Sequence, residues 1–117
     1  NMVDVNQSIW FWLRSLNATI FDFADVPESV LKRLGGNISV PEDLMKDIGH
    51  WFEVIRDNEI PIRYELSNLV TDILAISERY DGSDDEFWTN EGFCNHPDWD
   101  VIRNMSRTYI MGKWIHE

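Results

Sequence analysis

Cysteine is almost absent from this chain of 117 residues: Cys94 stands alone, so no disulfide can form within it. That excludes a disulfide-stapled scaffold and favours a reducing, cytoplasmic setting. Basic residues are also scarce. Ten Lys and Arg stand against 21 Asp and Glu, a formal net charge of -11. Contact with nucleic-acid phosphates or anionic lipids needs clusters of Lys and Arg, so the composition speaks against direct binding to either. No apolar run approaches the roughly 18 residues of a membrane span. The N-terminus lacks the basic region and continuous apolar stretch of a secretory signal. Gly-x-Ser-x-Gly, a phosphate-binding glycine loop and His-Glu-x-x-His are all missing, so no familiar catalytic motif is present. Nor is there an internal repeat, a low-complexity tract or a domain linker.

What remains is a chain rich in apolar and aromatic residues, 44% and 13% of the sequence. A disordered acidic tail would lack the aromatics. The length fits one domain over residues 1–117, large enough to bury roughly 65% of its unfolded surface without staples. The apolar spacing predicts an all-α fold, a single compact domain of four to five helices. After a fraying start over 1–4, Asn6 or Ser8 caps a helix to about Asn17, with Ile9, Trp10, Leu13 and Leu16 on one face and Trp12 packed elsewhere. Ile20 to Phe23 alternates apolar and polar, but no strand partner follows; a continuing helix or buried connector fits better. Asp25 caps a short helix with Pro27 in its first turn and Gly35-Gly36 after it.

Ser39-x-x-Glu42 reads as a capping box for a helix over 42–57. Its interior Gly49 costs roughly 1 kcal/mol relative to Ala and suggests close approach of a neighbouring helix. Pro61 opens a helix over 61–80, and the short connector makes these two antiparallel neighbours. Ser83-x-x-Glu86 is a second capping box for one or two turns through Trp88. Thr89 to Asn95 reads as a loop. Pro97 then starts a last helix over 97–114, with Asp98 and Asp100 favourable at its positive end, and the final three residues fray.

The stretch Asp81 to Asp100 (DGSDDEFWTNEGFCNHPDWD) stands apart. It holds seven carboxylates and no Lys or Arg. Phe87, Trp88, Phe93 and Trp99 are threaded between the acids. Clustered acids repel one another unless bases from elsewhere approach, and a partner rich in Lys and Arg relieves that repulsion while gaining association rate. Asp84, Asp85, Glu86, Glu91 and Asp98 are therefore the candidate partner-binding acids, with Trp88 or Tyr64 as an aromatic anchor. Cys94, His96, Asp98 and Asp100 include metal-ligating types, yet a sequence-local Cys-x-His pair matches usual zinc spacings poorly and no EF-hand order is present. Cys94 beside His96 is a poor nucleophile pair, because a negative setting disfavours the thiolate. The sequence thus assigns no metal, no cofactor and no catalytic residue.

In size, charge and helical character, and in the segment Glu86 to Arg107 (EFWTNEGFCNHPDWDVIRNMSR), the chain resembles small acidic bacterial immunity proteins that neutralise nuclease toxins, including those of contact-dependent inhibition systems. The resemblance implies a cytoplasmic, non-enzymatic inhibitor of a basic toxin domain. It carries over no individual residue. Phage-encoded DNA mimics and anti-CRISPR proteins, which block DNA-binding proteins, share the same charge and size. An acidic structural or regulatory interaction domain is the third expectation. Acids concentrated in one segment, with Arg56, Arg63, Arg79, Arg103 and Arg107 interrupting the rest, favour the first over a DNA mimic.

Overall fold

The computed structural model describes residues 2–114, which leaves residue 1 and the expected C-terminal fray at 115–117 outside it. Six α-helices and one 3-10 turn follow in order, and no strand occurs among the described residues. They are α1 (Met2–Ala24), α2 (Pro27–Leu34), α3 (Val40–Asp57), α4 (Tyr64–Glu78), α5 (Asn90–Asn95) and α6 (Pro97–Trp114), with the turn Glu86–Trp88 before α5. The helical class is as the periodicity predicts, and the helix count is one above the expected range.

The first helix is longer than its local signals suggest. It begins upstream of Asn6 and Ser8, and it does not stop at Asn17. The Asn17 side-chain amide donates back to the Leu13 carbonyl at 2.8 Å, which satisfies this helix-stopping residue inside the helix. The buried stripe is Leu16, Ile20 and Phe23, extended by the partly buried Leu13. Its spacing of three to four residues carries the helix through the alternating segment. Trp10, expected on that stripe, is 65% exposed, whereas Trp12 packs against the core.

Three further expectations change. Asp25 does not cap α2: its carboxylate accepts from the adjacent Val26 N–H at 2.7 Å, and Val26 holds the cap position without a side-chain bond. Gly49 admits no close approach, since an added Cβ would meet only the Leu74 Cδ2 at 3.8 Å. The fourth helix starts at Tyr64 rather than Pro61 and ends at Glu78, with Arg63 still extended at its cap. Between α3 and α4 the chain turns through Glu59 at φ 55. The Glu59 N–H bonds the Arg56 carbonyl and the Ile60 N–H bonds the Ile55 carbonyl. This is the paired pattern of a Schellman ending, with a glutamate where glycine is usual.

The four long helices form a closed ring in which each packs on two neighbours, in the order α1, α3, α4, α6. Their inner faces supply most of the core, including Leu16, Ile48, Val70, Ile73 and Ile102, all essentially inaccessible. The short elements α2, the 3-10 turn and α5 pack on one another and on α3 and α6. They close one end of the ring, and the acidic-aromatic segment is part of that closure.

Candidate functional site

Local chemistry builds the acidic segment differently from the expected second capping box. Ser83 serves the end of α4: its hydroxyl donates to the Tyr80 carbonyl at 2.7 Å. Asp85 is the cap of the short turn, accepting the Phe87 N–H at 2.9 Å. Thr89 then caps α5 by accepting the Gly92 N–H at 2.9 Å. The stretch from Thr89 to Asn95 is therefore a helix entered through its own cap, not a loop. Gly92 is needed for packing, because a Cβ there would lie 1.8 Å from the Glu86 carbonyl oxygen.

The aromatics hold this backbone to the ring of helices. Tyr80, Phe87 and Trp99 stack in sequence, with centroids 4.3 Å and 4.7 Å apart. Phe93 meets Trp99 edge-on at 5.0 Å. Such contacts add about 0.5–1.5 kcal/mol each beyond burial. Both indoles also donate hydrogen bonds, Trp99 to the Phe87 carbonyl at 2.7 Å and Trp88 to the Tyr80 carbonyl at 2.8 Å. From the far side of the sequence, the Ser39 hydroxyl donates to the Trp88 carbonyl at 2.6 Å. The Asn90 side chain accepts from the Val40 N–H at 2.8 Å and donates to the Ile38 carbonyl at 2.9 Å. Arg103, 5% exposed, donates to the Phe93 carbonyl at 2.7 Å and to Asp100 at 2.9 Å.

The seven acids divide into two groups. Asp98 is committed inward: it accepts the Tyr80 hydroxyl and Arg79, and its side chain is only 19% exposed. That bond to Asp98 is the main reason the Tyr80 hydroxyl is pushed up to about 12, with burial adding to it. Asp85 lies 3.5 Å from the His96 Nε2 besides capping its turn. His96 Nδ1 accepts the Asp98 N–H at 3.0 Å, which places its proton on Nε2, toward Asp85. Asp100 pairs with Arg103. By contrast Asp81, Asp84, Glu86 and Glu91 are exposed, and no cation lies within salt-bridge distance of them among the described residues.

Trp88 is half-buried and packs against the core, so it is less open than a free anchor. Its remaining surface lines a cleft of about 450 Å³ whose other lining residues include Glu42, Glu78, Asp81 and Lys46. Tyr64 is 75% exposed at the start of α4, away from this cleft. The structure thus brings Asp84, Asp85, Glu86, Glu91, Asp98 and Trp88 into one end of the molecule and sets Tyr64 apart. Glu42 and Glu78 join the acidic surface from α3 and α4. Single-segment reading misses them because only the fold brings them there.

The residues with metal-ligating side chains have separate tasks. The polar neighbours of Cys94 are Glu28 and Arg103, and burial first, then Glu28, push its thiol up. Asp98 and Asp100 are paired with different bases. No three of His, Cys, Asp or Glu converge on a metal-sized site among the described residues. No described helix is long and apolar enough to cross a membrane. The class defined here is a small acidic helical domain with carboxylates mounted on an aromatic platform. Comparison with family models, with curated proteins and with solved structures finds no match.

Proposed function

We propose that this chain is a non-enzymatic binding protein that neutralises a basic protein partner, acting in the cytoplasm as an immunity protein against a cognate nuclease toxin. One observation carries the reading. Asp81, Asp84, Glu86 and Glu91 are exposed with no cation within salt-bridge distance among the described residues, on a backbone held by stacked rings and by hydrogen bonds from Ser39 and Asn90. Acids on a mobile loop can spread apart. Acids on a fixed platform keep their field, and a cationic partner is the way to relieve it. The Lys and Arg that a nuclease uses for phosphates are such cations. In the cleft beside Trp88 the carboxylates of Glu42, Glu78 and Asp81 outnumber the one described cation, Lys46, so a partner's ammonium or guanidinium gains there from the aromatic face as well as from carboxylates. Asp98 contributes charge, but its Oδ2 is engaged by both Tyr80 and Arg79. A binding role rather than catalysis agrees with a Cys94 thiol held away from its reactive form and a His96 Nδ1 already occupied.

The test captures the partner by pull-down from the native host or by co-expression with the adjacent gene product, and then measures the complex by surface plasmon resonance at two salt concentrations. Replacing Asp81 and Asp84 by Asn, and Glu86 and Glu91 by Gln, should slow association about tenfold and flatten its salt dependence, with little change in dissociation. An unchanged association rate and salt slope would remove the acidic segment from the interface. Capture of a DNA-binding regulator instead of a nuclease would favour the DNA-mimic reading.

A further inference from the structure

The acids are unevenly placed along the chain. All of them except Asp4 and Glu117 fall between Asp22 and Asp100. Residues 5–21 and 101–114 hold none, and their Lys and Arg are Arg14, Arg103, Arg107 and Lys113. These stretches make up most of α1 and α6, which are neighbours in the ring. The outward side of α1 is also aromatic. Trp10 is 65% exposed, Phe11 46% and Phe21 47%. Gln7, Trp10, Arg14, Ala18 and Phe21 recur every three to four residues and are all exposed, so they form one stripe opposite Leu16, Ile20 and Phe23. Large apolar side chains exposed in a row, rather than singly, mark an interaction surface.

Two features select a second copy of this chain as the occupant. The first is charge. Two molecules of net charge -11 repel each other through their acidic sides, so they meet at least cost through an acid-free one. A basic partner is a poor occupant, because the charge within the stripe is the positive Arg14. The second feature is the order of residues along α1. A two-fold dimer pairs residue i with j and j with i. An antiparallel copy of α1 centred at Leu16 sets Phe11 against the copy's Phe21, with Trp10 beside that pair. It also sets Arg14 on the copy's small Ala18. Helical side chains lean toward the N-terminus of their own helix. In an antiparallel pair that lean carries Arg14 toward the copy's Phe21 ring and the exposed Asp25 carboxylate beyond it. A guanidinium gains from both. A parallel copy would instead place Arg14 on Arg14.

We propose that the outer stripe of α1 joins two copies of this chain in an antiparallel, two-fold dimer. The face is small. Three part-exposed rings, at about 150–250 Å² for a whole aromatic side chain, fall short of the roughly 800 Å² per partner of a standard interface. The dimer is therefore weak, with a Kd on the order of 10–100 μM. It uses none of Asp81 to Glu91, so it stands or falls apart from the basic-partner reading.

Sedimentation velocity of the full chain, from about 1 μM to 1 mM, follows the association by mass action. The dimer should strengthen as sodium chloride rises from about 0.01 M to 0.15 M, because the Debye length shortens from about 30 Å to about 8 Å and screens the net repulsion. Ala18→Glu puts an acid at the centre of the stripe, and Phe21→Ser removes a ring that meets both Phe11 and Arg14. Each should weaken the dimer about tenfold or more while leaving the far-UV circular dichroism unchanged. Should Phe21→Ser melt the fold, Ala18→Glu at an exposed helical site still decides. Arg14→Asp should also weaken the dimer, and Asp25→Arg added to it should restore the affinity. A protein monomeric throughout at both salts overturns the proposal. So does a dimer that weakens as salt rises, one indifferent to Ala18→Glu, or a failed rescue by Asp25→Arg. A monomer that floats with phosphatidylserine vesicles, and loses them on Phe21→Ser, would assign the stripe to a lipid surface and refute the dimer.

Discussion

Tyr80 shows how one hydroxyl ties the acidic segment to the fold. It donates to Asp98, and its ring starts the stack that carries Phe87 and Trp99. Its ionisation is raised in the folded state from 10.0 to about 12, so the protonated form is favoured by folding. The stabilisation is therefore fully present below pH 10 and is lost as pH rises from there toward 12. Chemical denaturation across that range should show stability falling with pH, and Tyr80→Phe should flatten the fall. A mutant with the same slope as the parent would mean that Asp98 does not hold the hydroxyl. Glu59 is a second residue-scale case. Its left-handed backbone between α3 and α4 costs about 1 kcal/mol for a residue with a Cβ. Glu59→Gly should raise the unfolding free energy by about that amount, measured in urea, because the Schellman hydrogen bonds stay in place.

At the scale of elements, α5 is the helix that reading by composition loses. Six residues containing Gly92 and two Asn look like a loop, and an isolated helix that short would not form. It forms because Thr89 caps it, Phe93 is driven into the core against Trp99, and Gly92 lets its backbone lie on the Glu86 carbonyl. Gly92→Ala should cost about 1–3 kcal/mol, since the obstructing atom is backbone and the added methyl has no room. Calorimetry should report it as a lowered melting temperature. An unchanged value would show that α5 can shift away from the Glu86 carbonyl at no cost. The same logic explains α1 and α4. Asn17 and Pro61 are sound local stop and start signals, but a stripe from Leu13 to Phe23 overrode the first, and Arg63 stayed extended so that α4 began after the second.

For the whole molecule, the net charge of -11 is unevenly relieved. Asp22, Asp98 and Asp100 have arginine partners, while Asp81, Asp84, Glu86 and Glu91 have none among the described residues. Self-repulsion of this kind lowers the stability of the compact state and is screened within a Debye length of about 10 Å at 0.1 M salt. Neutralising Asp81, Asp84, Glu86 and Glu91 together should therefore raise thermal stability at low ionic strength. The gain should shrink toward zero in about 1 M sodium chloride, where the Debye length is roughly 3 Å. A gain independent of salt would place its origin in packing rather than in charge.

By itself the sequence determined the helical class, the extents of α3 and α6, the large acidic excess and the stretch in which acids and aromatics alternate. Those properties live in spacing and composition. Val40 to Asp57 and Pro97 to Trp114 carry sustained 3.6-residue stripes, and a stripe must be buried wherever the helix sits. The tertiary structure decided which acids are free. Asp98 and Asp84 are indistinguishable as letters, but Tyr80 and Arg79 reach only Asp98. It also decided that Trp88 is half-buried, because Ser39 and Tyr80 approach it from distant or folded-back chain. Asn90 had no visible role until Ile38 and Val40 met it across about fifty residues of sequence.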